Sequence, residues 1–321
     1  MGPPNCSVHS LPVEVAVASV LLLEFGLGLL GNAVALWTFL CRLKVWKPYA
    51  VYLFNLVLAD LLLTACLPFH IALYLRHRSW GLGPTACRVL LFLLALSRGV
   101  GVAFLAAVAL DRYLRVVRPG LRVNLLSPRG ARAVSGGVWL LMVVLAHQSV
   151  LMAPAAGDAT ECHSPSPVLP LSFSVLWQEV LAFLQFTLPF GLILFCNAGL
   201  VRALQKRLRD PEKQPKLRRA RVLVTTVVVL FALCFLPSCM ARVVMNVTRG
   251  TQSCRVLRGV QYSLDVTNSL TYLNSVLNPL VYCFSNPTFR YSYRKAFNTL
   301  RGLRQRQVTE PRGSDLQASY S

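Results

Sequence analysis

The sequence predicts an all-α membrane protein: a seven-transmembrane helix bundle with a short amphipathic helix on the membrane surface after the seventh span. Three observations carry this. Of 321 residues, 55% are hydrophobic, and the mean hydropathy is +0.54. A helix crosses the hydrocarbon core with about 20 apolar residues, and seven such runs use up most of the chain. Finally, Lys and Arg segregate sharply between alternate connecting segments.

The runs fall at 14–41, 50–75, 86–110, 133–153, 174–201, 222–245 and 259–284. The first, "VLLLEFGLGLLGNAVALWTFL", is apolar but for Glu24 and Asn32, and the second carries Asn55 and Asp60. The third, "LFLLALSRGVGVAFLAAVAL", holds Arg98 and ends at Asp111 and Arg112. Trp139 lies in the fourth, Glu179 and Pro189 in the fifth, and Pro237 and Arg242 in the sixth. The seventh contains Asp265, Asn274 and Asn278. Residues 287–302, "PTFRYSYRKAFNTLRG", read as the surface helix. The expected division is therefore an extracellular N-terminus at 1–13, a transmembrane domain at 14–284, the amphipathic helix at 287–302 and a flexible cytoplasmic tail at 303–321.

A net charge of +21 would suggest nucleic acid in a soluble protein, but its distribution argues for a membrane instead. Of 33 Lys and Arg, 25 lie in 42–48, 112–132, 202–221 and 290–312, and 5 in the opposite segments. Positive charge stays on the cytoplasmic side, so the N-terminus is expected outside. The basic face suits anionic lipid, and no nucleic-acid partner is needed. Residues 1–13 lack Lys and Arg, and the long first run reads as an anchor rather than a cleaved signal. Sequons at Asn5 and Asn246 fall on the outer side and are candidate glycosylation sites.

Four of the ten cysteines, Cys6, Cys87, Cys162 and Cys254, fall on the outer side, where oxidation is permitted. They allow three pairings. Cys87–Cys162 is preferred, because Cys87 caps the third helix and Cys162 lies in the loop between the fourth and fifth, which the bridge would pin across the bundle mouth. Cys6–Cys254 is then left as the second bridge.

Ionisable groups inside a membrane are costly and face the bundle interior. Arg98 and Arg112 are 14 residues apart, about 21 Å along one face of a helix. No acid stands at i±3 or i±4 of Arg98, where Leu94, Ala95, Gly101 and Val102 lie. Arg98 therefore bridges to another helix, Glu24 being a candidate partner, snorkels toward the outer interface, or receives an anion from outside. The buried acids are scattered on different helices, with no metal spacing and no phosphate loop. We read the chain as non-enzymatic, without cofactor or bound metal.

Several motifs add a family resemblance. "GN" at Gly31–Asn32, "NLVLAD" ending at Asp60, "DRY" at Asp111–Tyr113, Trp139, Pro189, "CFLP" at Cys234–Pro237 and "NPLVY" at Asn278–Tyr282 occur in order, one per helix. The chain resembles a rhodopsin-like (class A) G-protein-coupled receptor over essentially its whole length. "LEFGLGLLGN", "CFLPS" and "TYLNSVLNP" further resemble the hydroxycarboxylic-acid and oxo-eicosanoid receptor group.

That resemblance implies a plasma-membrane, multi-pass receptor for an anionic lipid, a hydroxylated arachidonic acid such as 12-HETE. Arg98, Arg242, Tyr272 and Ser164 would be ligand contacts. An apolar slot for the tail would use Leu94 with Leu91, Ala95, Phe69 and Leu273. A guanidinium takes a carboxylate through two charge-assisted hydrogen bonds, so the chemistry agrees. Leu94 stands where amine receptors keep an aspartate, and 259–284 lacks the lysine a retinal Schiff base needs. Small hydroxy or keto acids such as lactate and pyruvate are the alternative ligands. An organic-anion carrier is a more distant reading.

The resemblance also implies partners and a switch. The partners are a heterotrimeric G protein of the inhibitory Gi/o class, arrestin, receptor kinases and membrane lipid. Asp111 would hold Arg112 at rest, Pro237 would be the pivot, and Tyr113, Asn278, Pro279, Tyr282 and Asp60 would join the switch. Three positions depart from the family pattern: Phe235 replaces a tryptophan beside the pivot, Asn197 a tyrosine, and Gly101 a serine of the family's sodium site, which leaves Asp60, with Asn274 and Asn278, as a weak sodium site at most.

Overall fold

The computed structural model describes residues 10–76, 81–118, 120, 127–151, 162, 173–206, 214–248 and 253–309. Eight helices appear among them: α1 (Leu11–Cys41), α2 (Pro48–Leu75), α3 (Gly83–Val117), α4 (Pro128–Leu151), α5 (Phe173–Lys206), α6 (Gln214–Thr248), α7 (Cys254–Ser285) and α8 (Pro287–Thr309). All seven expected spans are present. Most overrun their apolar runs, because a helix does not stop where the hydrocarbon does. Prolines open several of them: α1, α2 and α3 each carry one in the first two positions. There the missing N–H costs nothing and the fixed φ suits a helix. α8 continues past the expected end at 302 to Thr309, so part of the expected tail is helical.

Six helices are long and apolar enough to cross a membrane by composition, and α7 is not among them. The reason is its interior face, where Asp265, Ser269, Thr271, Asn274, Ser275 and Asn278 are all buried. Their polarity lowers the hydropathy of this segment.

α1 packs between α2 and α7; α3 runs through the centre against α2, α4, α5 and α6; and α5, α6 and α7 follow in sequence around the ring. One buried cluster fills the half of the bundle near Asp111, with Phe39, Leu56, Phe104, Leu200, Phe231 and Tyr282. A second, with Leu21, Leu67, Leu94 and Tyr272, fills the half near the Cys87–Cys162 disulfide. The outward faces keep large apolar side chains exposed, among them Leu22, Leu140, Val144, Leu233 and Met240. A water-soluble protein would not tolerate so broad an apolar surface, whereas lipid would cover it.

Close approaches fix helix positions at two glycines. A Cβ on Gly31 would sit 2.9 Å from Pro279 Cγ, which draws α1 onto α7. A Cβ on Gly199 of α5 would collide with the Tyr113 ring of α3. α8 is tied back by Phe289, whose ring lies 4.7 Å from Phe39, and by Tyr293, whose hydroxyl donates to Gly31 O at 2.8 Å. Its exposed residues mix Phe297 and Leu300 with Arg294, Lys295 and Arg301, the composition of a helix lying on a lipid headgroup layer.

Candidate functional site

The half of the bundle carrying the disulfide holds Arg98, with Arg242 and Glu24 nearby. Arg98 projects inward from α3, half-buried. Its Nη1 donates to Thr271 Oγ1 at 3.4 Å, and its guanidinium carbon lies 5.6 Å from the centre of the Tyr272 ring. No carboxylate among the described residues pairs with it. The bridge to Glu24 weighed from the sequence is absent, because both Glu24 oxygens are buried without a hydrogen-bond partner. Arg242 comes from α6, near enough for its charge to interact with Arg98 and Tyr272. Two guanidinium groups and a phenol therefore converge.

Tyr272 is buried, and His70 of α2 packs its ring edge-on against it at 5.5 Å between centroids. Leu94 is 3% exposed in the same cluster, with Leu91 packed beside it. Phe69 departs from the expected slot: it is 50% exposed and joins neither major cluster. One residue earlier than His70 on α2, it lies about 100° away around the helix. A groove of about 400 Å³ opens between α6 and α7, lined by Ala241, Val244, Arg255, Gly259 and Val260. It flanks Arg242 and does not include Arg98, so it is separate from the charged cluster.

Cys87 and Cys162 are joined as expected, across 75 residues. Cys254 is also disulfide-bonded, while its expected partner Cys6 lies outside the described residues. Asn5 and Ser164 lie outside them too. Asn246 is exposed in the last turn of α6.

Below this cluster a polar network crosses the bundle. Asp60 accepts from both sides: Asn278 Nδ2 reaches its two oxygens at 3.0 and 2.8 Å, and the Tyr282 hydroxyl donates at 2.9 Å. Asn32 Nδ2 donates to Ser275 O at 3.1 Å, tying α1 to α7. The Oδ1 atoms of Asn274 and Asn278 are buried without a donor. Those orphaned acceptors and a carboxylate are oxygens of the kind a hard monovalent cation takes, so the residues fit a sodium ion in their chemistry.

At the far end the structure corrects one expectation. Asp111 does not hold Arg112: its Oδ1 accepts from Arg115 Nε at 2.9 Å. Residues one apart point about 100° from each other, whereas residues four apart share a face. Arg112 instead stacks its guanidinium 4.0 Å above the centre of the Tyr49 ring, with Nε and Nη2 lacking acceptors. Tyr113 packs against Phe195 at 5.4 Å. Asn197, where the family pattern has a tyrosine, accepts from Thr225 Oγ1 at 2.9 Å and joins α5 to α6. Phe235 stacks into an aromatic row, 4.7 Å from Phe231, which contacts Phe186 and Phe190 in turn. Ser238, next to Pro237, donates to Asn268 Oδ1 at 2.8 Å.

Sequence reasoning missed Thr271, Tyr49 and Arg115. The last was readable from its spacing to Asp111, but the other two are contacts between helices and need the fold.

Comparison with known proteins bears on these sites. The family model of the rhodopsin-family seven-transmembrane receptors matches residues 31–282. The chain is 64% identical over 318 residues to the Homo sapiens 12-(S)-hydroxy-5,8,10,14-eicosatetraenoic acid receptor, covering 99% of each chain. It is 57% identical over 321 residues to the Mus musculus receptor of the same name, covering all of both. It is 40% identical to the Homo sapiens hydroxycarboxylic acid receptor 2, covering 96% of this chain and 84% of that one.

Proposed function

Because the chain belongs to the rhodopsin family of seven-transmembrane receptors, we propose that it is a plasma-membrane receptor for a hydroxylated arachidonic acid, 12-HETE, with Arg98 as carboxylate anchor. The observation that carries this is a guanidinium inside an apolar bundle with no carboxylate partner among the described residues. Such a charge is costly unless something anionic arrives. Two relatives named for that ligand, at 64% and 57% identity, support the same ligand class.

The anchor works through geometry. Arg98 offers a planar fork to the acid, Arg242 adds a second positive charge nearby, and Tyr272 and Ser164 would supply hydroxyls to the headgroup. Leu94 and its neighbours supply apolar surface. Burial of an acyl tail at about 25 cal/mol per Å² carries much of the affinity, while the arginine fixes orientation and rejects neutral lipids.

Ligand biases a two-state bundle by its differential affinity. Pro237 lacks the N–H that would brace α6, which makes that helix the moving part. Movement of α6 away from Arg112 and Tyr113 opens the cytoplasmic end to a Gi/o protein, and later to arrestin and receptor kinases. Asn278, Pro279, Tyr282 and Asp60 transmit the change along α7, and a sodium ion held by Asp60, Asn274 and Asn278 would favour the resting arrangement. The N-terminus lies outside, with glycans on Asn5 and Asn246.

The test is a lipid panel on wild type and Arg98→Ala in a cyclic-AMP assay. Carboxylates should inhibit cyclic-AMP production in the wild type only. An Arg98→Ala variant that responds like wild type defeats the assignment. The 40% identity to hydroxycarboxylic acid receptor 2 favours small hydroxy acids as a second reading. Potency that does not rise with chain length would select it.

A further inference from the structure

Glu24 lies in the middle of α1, 3% exposed, and neither carboxyl oxygen has a hydrogen-bond partner. Buried polar groups are nearly always satisfied, and a lone carboxyl in an apolar bundle is among the costliest exceptions. Nothing in the architecture of α1 requires it: Val17, Ala18 and Leu21 on the same face pack well as apolar residues.

The register of α1 on α7 shows where the carboxyl points. Gly31 meets Pro279, a Cβ on Gly28 would lie 3.6 Å from Val276 Cγ2, and Asn32 donates to Ser275 O. Sequence numbers rise together from Gly28–Val276 to Gly31–Pro279, so the two helices run parallel. Glu24 is one turn before Gly28 on the same face, and one turn before Val276 is Tyr272. Glu24 and Tyr272 are indeed close enough for their charges to interact. Arg98 arrives at this same turn from α3, touching Thr271 and Tyr272. An unsatisfied acid and an unpaired guanidinium thus face one stretch of α7 without bonding each other.

We infer that Glu24 is a specificity-determining residue that receives the hydroxyl group of the bound acid, so that the receptor selects carboxylic acids carrying a second, hydroxylic polar group. The inference rests on the reading that Arg98 takes the carboxylate. With the ligand carboxylate held by Arg98, the other polar group is the one left for Glu24. A hydroxyl both donates and accepts, so it satisfies the Glu24 carboxyl whether ionised or protonated. A hydrocarbon tail would leave both oxygens bare. Sites built around a buried polar group reject the analogue that lacks its partner.

The test compares 12-HETE with arachidonic acid, the same chain without the hydroxyl. Full-length receptor in cells is scored by cyclic-AMP inhibition at matched surface expression. Wild type should prefer the hydroxylated acid. Glu24→Leu and Glu24→Met should lose about tenfold of that preference, one hydrogen bond's worth, while keeping the response to arachidonic acid. Glu24→Gln should retain most of it. An unchanged ratio in the apolar variants, an equal loss for both acids, or a wild type without preference overturns the inference. So does failure of both apolar variants to reach the surface, which would mark Glu24 as structural. Arg98→Ala separates the two readings. If it silences both acids while Glu24→Leu leaves the ratio intact, only the hydroxyl assignment fails. If it silences neither, the anchor itself is wrong.

Discussion

Asp111 and Arg112 are neighbours in sequence and strangers in structure. The aspartate pairs with Arg115 one turn on, at 2.9 Å, and the arginine lies over Tyr49 of α2 at 4.0 Å. Arg112 therefore rests against an aromatic face on a neighbouring helix in this structure. Two contacts hold this end, and they differ in strength. An i,i+4 ion pair that is partly exposed contributes about 0.3–0.5 kcal/mol. A desolvated cation–π contact contributes about 2 kcal/mol.

That difference sets the first prediction. Arg115→Ala should change basal nucleotide exchange on the G protein by no more than about twofold. Tyr49→Leu should raise it several-fold more, because Arg112 is released toward the α6 side. Nucleotide exchange on purified Gi with each variant in membranes checks the order. A larger effect from Arg115→Ala would mean that the ion pair is the resting lock.

The Asp60 network yields a ranking of stabilities. Tyr282→Phe removes one donor and leaves the Asn278 amide on both carboxylate oxygens. Asn278→Leu removes two hydrogen bonds at once. With about 1–3 kcal/mol for each buried acceptor left short of a donor, Tyr282→Phe should lower the unfolding midpoint modestly. Asn278→Leu should lower it clearly more. Thermal unfolding in detergent measures both.

Arg98 should not accept lysine. An ammonium keeps the charge but loses the fork that would grip both oxygens of a carboxylate ligand. Arg98→Lys should cost about tenfold or more in carboxylate potency while still responding at high concentration. Arg98→Ala should not respond at all. A lysine variant equal to wild type in a concentration–response series would mean that charge alone suffices.

The sequence was most informative where hydrophobicity decides the outcome. The apolar runs marked every span, because a membrane helix must hide its backbone and show lipid an apolar face. Even α7, too polar to qualify by composition, was betrayed by the amides and "NPLVY" it carries. Contacts across helices were less legible. Nothing in the chain places Thr271 under Arg98 or Tyr49 over Arg112, since both depend on helix rotation. Phe69 failed as a slot residue for the same reason: apolar character does not say which way a side chain faces in lipid. The absence of a Glu24–Arg98 bridge was undecidable without the register of α1 on α7.

That dependence on rotation is sharpest where α3 meets α5, at Gly199. The Tyr113 ring occupies the space a Cβ would need, and Tyr113 also packs on Phe195. Two effects oppose each other in Gly199→Ala. Replacing glycine inside a helix gains about 0.5–1 kcal/mol of backbone stability. Overpacking a filled contact costs about 1–3 kcal/mol, and the obstacle here is a ring wedged between helices. Overpacking should win, so Gly199→Ala lowers the unfolding midpoint and weakens agonist-driven nucleotide exchange by displacing Tyr113 from α5. The partner variant Tyr113→Leu removes the obstruction. In the double variant the alanine should become neutral or stabilising, which gives a coupling energy of favourable sign between residues 86 positions apart in sequence. Additive losses in the double-mutant cycle would show that Tyr113 has room to move aside, and that the close approach of α3 and α5 is not set by this glycine.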